Sequence, residues 1–254
     1  TLNYAAWVLL RPSDPQEAEA LLQSARADLE AATDADPTLA SAYSTLSHLY
    51  YQIHDVPAVV LAARRAYEED AYLDLAPQIL LRLFNGSLDL EQFSQAERWC
   101  EEGARRFPDD YRFVMCQLRL TTTPAVTPDV DRTWERVAAL DTLAGDPYFR
   151  IEGLMLAGGT LARAGLPDSA RAVLDRARSM ITHDVDPDQE LLTVEAYQRT
   201  LLGEYDLAVD LLKRYAAANP GHFDGTSAAA WWWRDLQSHP GFQELLGTGR
   251  RGAQ

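Results

Sequence analysis

Apolar positions recur every three or four residues along most of the chain, the period of helices buried on one face rather than the alternation of strands. Between Leu154 and Pro220 the pattern is written twice. In the first copy Leu154, Ala157, Gly158 and Leu161 precede Gly165, Ala170, Leu174 and Ala177. In the second, Leu192, Glu195, Ala196 and Arg199 precede Gly203, Tyr205, Ala208, Leu212, Tyr215 and Pro220. Aligned on Ala170 and Ala208, both copies keep one spacing through two helices and the turn between them. Small residues at Gly158, Ala170, Ala177, Ala196 and Ala208 mark helix crossings too close for a larger side chain. Leu161, Leu174, Tyr205 and Leu212 fill the space around them. Gly165 and Gly203 stand where a left-handed residue closes the first helix of each pair. Each hairpin has an apolar side too wide to bury alone, so successive hairpins must stack.

The same layout, less regular, extends in both directions. It predicts hairpins over 1–37, 39–71, 74–108, 110–146, 150–186 and 187–220, capping helices over 226–246 and a tail over 247–254. In the first, a helix from Thr1 to Leu10 meets one from Gln16 to about Asp34. The second carries Ser47 in the small-residue position and a turn at Asp55. In the third, Asn85-Gly86-Ser87-Leu88-Asp89 predicts a turn about three residues longer than the pattern. In the fourth, the Thr/Pro run from Thr121 to Pro128 cannot continue a helix, which predicts a surface excursion and a bend. Thr226 is placed to cap a helix carrying Trp231, Trp232 and Trp233.

Composition narrows the choice of partner. With 38 acidic against 23 basic residues the formal charge is −15, which argues against nucleic acid or an anionic membrane surface. Lys213 is the only lysine; the Arg and Ala bias fits a high-GC bacterial coding sequence. No apolar run approaches the roughly 20 residues a membrane helix needs, and no signal peptide opens the chain. Localisation is left open, with a cytoplasmic protein slightly favoured over a soluble domain of an exported or membrane-anchored one. Cys100 and Cys116 make no disulfide framework, so reduced, buried thiols are expected.

The spacing resembles the tetratricopeptide repeat (TPR), a unit of 34 residues with Leu-Gly, an aromatic, Ala, a bulky residue, Ala and Pro at fixed offsets. The resemblance implies an all-α, right-handed solenoid of about six hairpins whose first helices line a concave groove that holds a peptide or partner protein. Carried onto this sequence, that face presents Ser44, His48, Tyr51, Gln52, Gln78, Arg82 and Asn85. Further along it presents Phe113, Gln117, Met155, Arg163, Thr193, Tyr197 and Thr200. The aromatic, amide and Arg groups among them suit anchored, adaptable contact. Trp231, Trp232 and Trp233 form a second candidate patch, since three consecutive rings cannot share one side of a helix. The ending, Trp233-Arg-Asp-Leu and then His239-Pro-Gly-Phe-Gln-Glu-Leu-Leu246, is similar to the close of TPR regions in bacterial serine/threonine kinases and transcriptional regulators. Two other roles stay open, a self-assembling structural subunit and the regulatory segment of a longer kinase or transcription regulator. A chaperone-tail clamp is disfavoured, because it needs lysines on the groove helices and none is available there.

Chemistry finds little support. Asp184, Asp186, Asp188, Glu190 and Glu195 approach calcium-loop spacing, but Gln189 replaces the turn glycine and Pro187 sits inside, so helix capping is the better reading. His48, His54, His183, His222 and His239 lack metal-ligand spacing. With no phosphate loop or nucleophile elbow, the expectation is a non-enzyme without a cofactor.

Overall fold

The computed structural model describes residues 4–7, 15–223 and 229–249, and every regular element among them is helical. The described chain is an all-α succession of hairpins, grouped in two compact units, Thr1–Phe107 and Pro108–Gln254.

In the first unit a helical turn at 4–7 precedes α1 (Pro15–Ala35), α2 (Ala40–Gln52), α3 (Val56–Glu69), α4 (Ala76–Asp89) and α5 (Phe93–Arg106). The buried stripe of α1 is Ala18, Leu22, Ala25 and Leu29, spaced by three and four residues as one helix face requires. It closes over Trp7, Leu46, Leu49 and Val59 in one core. Helices α2 and α3 pack as one hairpin, α4 and α5 as the next, and α2 also touches α4, so the first helices lie side by side.

The second unit contains α6 (Tyr111–Thr121), α7 (Val130–Leu143), α8 (Pro147–Arg163), α9 (Pro167–Ser179), α10 (Leu191–Leu201) and α11 (Tyr205–Ala218). Side-chain caps from Asp110, Asp129 and Asp146 start α6, α7 and α8. Helix α8 is buried on all sides from Ile151 to Leu161, and its glycines explain how. A methyl at Gly153 would lie 2.5 Å from Leu140 of α7, at Gly158 2.8 Å from Leu174 of α9, and at Gly159 1.8 Å from the Gln198 amide of α10. Each glycine lets one neighbour in.

Four hairpin turns are the same motif. The residues two positions past the ends of α2, α4, α8 and α10 are His54 (φ 58°), Glu91 (φ 57°), Gly165 (φ 77°) and Gly203 (φ 72°). Across them, the amides of Asp55, Gln92, Leu166 and Glu204 donate to the carbonyls of Tyr50, Ser87, Leu161 and Arg199 at 2.8–3.0 Å. These are Schellman closures, which satisfy carbonyls that the helix end leaves orphaned. The left-handed glycines expected from the sequence are in place, and two non-glycine residues do the same work.

Several expectations are corrected. Asn85 to Asp89 is helix rather than a lengthened turn; the closure falls at Glu91. Gly86 is there for packing, since a Cβ would meet Val60 at 2.6 Å. The Thr/Pro run ends the helix at Thr121 as expected, and Pro124, Ala125 and Thr127 are exposed, but its first three residues turn inward: Thr121, Thr122 and Thr123 are buried, and their hydroxyls donate to the carbonyls of Leu118, Arg119 and Leu120. Reduced thiols are also overturned, because Cys100 and Cys116 are both disulfide-bonded. Trp231 to Trp233 lie in a 3₁₀ helix, Trp231–Leu236, instead of an α-helix, and α12 (Pro240–Gly249) follows. Thr226 lies outside the described residues.

Candidate functional site

Counting back from the left-handed residue of each turn aligns the first helices without assuming a family. His48, Asn85, Gly159 and Tyr197 share one position, six residues before it, and Tyr51 and Thr200 share another, three before. Gln52 and Arg163 share a third. Arg82 stands nine residues before Glu91, three positions from that of His48 with which the 34-residue period pairs it, because the third turn falls at Glu91.

In the first unit this face is built on α2, α4 and the turn at 4–7. Tyr51 is 49% exposed, and Gln52 and Asn85 are half-buried. His48 lies deeper: its Nδ1 is 2.7 Å from the Tyr4 hydroxyl and its Nε2 3.2 Å from the Gln52 amide. Burial, and then the charge of Arg82, push the His48 imidazole below its ordinary range. Arg82 crosses from α4 to α2, where Nη1 donates to the Ser44 carbonyl at 2.8 Å and to the Ser47 hydroxyl. Ser44 itself is buried, so the surface role expected for its side chain is withdrawn. Gln78 is half-buried. Sequence patterning missed the seat of Tyr4 on His48, because a long-range pair leaves no local period.

In the second unit most nominated side chains already have partners. Gln117 accepts from Arg136 at 3.1 Å. Arg163 donates through Nη1 to the carbonyls of Thr121 and Val126 at 2.5 and 2.8 Å, and the Tyr197 hydroxyl donates to that of Thr122 at 2.9 Å. Tyr197 also stands edge-on to Trp231 and Trp233. Phe113, Met155 and Thr200 are buried and Thr193 is half-buried, which takes the first three from the expected surface. Trp233 is core, packed with Phe223, Leu236 and Phe242, while Trp231 and Trp232 are half-buried. The second patch reduces to the open edges of those two rings.

An ion network with a buried centre, Glu195 and Arg199, occupies the last two hairpins. Glu195, fully buried, accepts from Arg178 at 2.5 and 2.8 Å and from Arg199 at 2.9 and 3.0 Å. Arg199 also reaches Asp175 at 2.6 Å and Glu204 at 3.0 Å, and Arg171 joins Glu204 at 2.6 Å. A shallow pocket of about 460 Å³ opens over it, lined by Asp175, Arg178, Arg199, Gly203, Glu204 and Tyr205. Its cations are spent on internal carboxylates, which makes it a structural clasp. The sequence offered one signal for it, the Glu-to-Arg spacing of four residues on an inward helix face. Asp186 accepts from the amides of Glu190 and Leu191 at 2.9 and 3.0 Å and so caps the start of α10.

Among the described residues no group of three or more His, Cys, Asp or Glu is placed to hold a metal ion, and no helix is long and apolar enough to cross a membrane. Compared with known proteins, the chain matches no family model and no curated sequence.

Proposed function

We propose that the chain is a TPR-like recognition module that binds a segment of another protein without chemical turnover, and that the first unit carries the contact surface. The observation that carries this reading is the side-by-side pair α2 and α4. It presents exposed Tyr51 with half-buried Gln52 and Asn85, over a floor fixed by Arg82 and His48. An aromatic anchor beside amides on a rigid helical floor loses little entropy on binding. The corresponding side chains of the second unit, Arg163 and Tyr197, hold their own chain's carbonyls.

The test is a pull-down from source lysate, comparing the parent chain with Tyr51→Ala/Asn85→Ala and with Trp231→Ala/Trp232→Ala, all matched for helicity by circular dichroism. The recognition reading expects one protein retained by the parent and the Trp variant and lost by the first variant. Loss only with the Trp variant, or retention of the chain itself alone, favours self-assembly instead.

The disulfide state of Cys100 and Cys116 favours a second reading, about compartment. Cytosolic thiols are kept reduced, so these residues suit an exported or outward-facing domain. Alkylation of the protein in intact cells tests it: thiols that label without a reductant exclude an oxidising compartment.

A further inference from the structure

Several arginines of this acidic chain are neutralised by its own carboxylates. Arg105, Arg112 and Arg119, like those of the ion network, face a carboxylate within 3.1 Å. Arg82 faces none among the described residues, although burial pulls its guanidinium down to about 10, against the favourable influence of Tyr4 and Tyr51. At neutral pH it is still a cation, and a part-buried one.

Its geometry divides the guanidinium in two. Nη1 is spent on the Ser44 carbonyl and the Ser47 hydroxyl of α2, which fixes the plane of the group. Nε and Nη2 donate to no acceptor among the described residues, and neither is sealed from solvent. Those two N–H groups form the edge that matches the two oxygens of a carboxylate. The entropy of orienting the side chain has been lost in folding already, which favours binding at that edge. Beside it stand Tyr51, 49% exposed, and His48, which is held by Tyr4 and Gln52.

We propose that the Nε–Nη2 edge of Arg82 receives the side-chain carboxylate of a Glu or Asp in a partner segment lying along Tyr51. The inference rests on the recognition reading above and names the chemistry that the partner must carry. A carboxylate there forms two charge-assisted hydrogen bonds and supplies a counter-charge that Arg82 lacks among the described residues.

The probe is a phage-displayed random dodecapeptide library panned on the full chain, followed by fluorescence anisotropy with the best-enriched peptide and its Glu→Gln or Asp→Asn counterpart. One acidic position should dominate the selected peptides. Amidating it should weaken binding by about 10- to 100-fold, Arg82→Gln should cause a similar loss, and the two losses should not add. Because Arg82→Gln also loosens the link from α4 to α2, the ¹⁵N resonance of Arg82 Nε in the unaltered chain gives a second reading. It should shift with the acidic peptide and stay still with the amide. Selected peptides without a required acid, additive losses, or an Nε resonance saturated equally well by free glutarate would each overturn the proposal while leaving recognition intact. If no peptide is enriched, the recognition reading fails and takes this proposal with it.

Discussion

The Asp55 amide donates to the Tyr50 carbonyl at 3.0 Å, around a histidine held in the left-handed conformation that Gly165 and Gly203 adopt in later turns. Geometry at the end of α2 is therefore set by the closing hydrogen bonds, and His54 bears the backbone strain. Glu91 does so at the end of α4.

Replacing either residue should relieve that strain. His54→Gly and Glu91→Gly should each stabilise the chain by roughly 0.5–1 kcal/mol, the left-handed penalty less the entropy of a glycine. Gly165→Ala and Gly203→Ala should cost about 1–2 kcal/mol, though nothing lies within 4 Å of the added methyl. Urea midpoints at constant slope decide the matter; no gain from either glycine would mean that the turns are relaxed.

The helix crossing at Gly158 tests the packing argument. A methyl there would sit 2.8 Å from two carbons of Leu174, itself fully buried. Gly158→Ala should cost about 1–3 kcal/mol by overpacking. In a double-mutant cycle Leu174→Ala should absorb much of that cost, whereas independent costs would place the obstruction elsewhere.

Glu195 is the carboxylate that the last hairpins depend on. Glu195→Ala removes the buried partner that Arg178 and Arg199 share and leaves Arg199, whose side chain is 4% exposed, to Asp175 and Glu204, so it should destabilise by about 1–3 kcal/mol. Replacing Glu195 and Arg199 together with Met should cost much less than the sum of the single changes. Additive losses would mean that the two groups do not act as a pair.

His48 supplies the pH dependence. Its imidazole is held below the unfolded value of about 6.5, so below that pH the unfolded chain binds more protons than the folded one. The stability linked to His48 is full above about pH 7 and declines as pH falls through 6.5 toward the folded value. The groups facing it are Tyr4, Gln52 and Arg82. His48→Gln should flatten the stability profile between pH 7 and 5, and an NMR titration should place the imidazole below 6.5; an ordinary value would remove the effect.

These tests also show which parts of the fold the residues announce. Gly165 and Gly203 are legible because only glycine adopts that backbone freely. His54 and Glu91 are not, since strain leaves no mark in residue type. Asn85-Gly86 imitates a turn because the dipeptide usually makes one, yet Gly86 faces Val60 across a close helix contact. That misplaced turn carried Arg82 out of register and hid its reach to Ser44. Tyr51 was visible because its position repeats with the helix period. That Arg163 and Tyr197 are already taken up by their own chain is not legible, because their acceptors are backbone carbonyls, which every residue has.

The most direct measurement is hydrogen–deuterium exchange of the full chain alone and with the partner captured in the pull-down. Recognition through the first unit predicts slowed exchange in α2 and α4, centred on the peptides around Tyr51 and Asn85, with Trp231–Leu236 unchanged. Protection confined to Trp231–Leu236, or absent from α2 and α4, would contradict it.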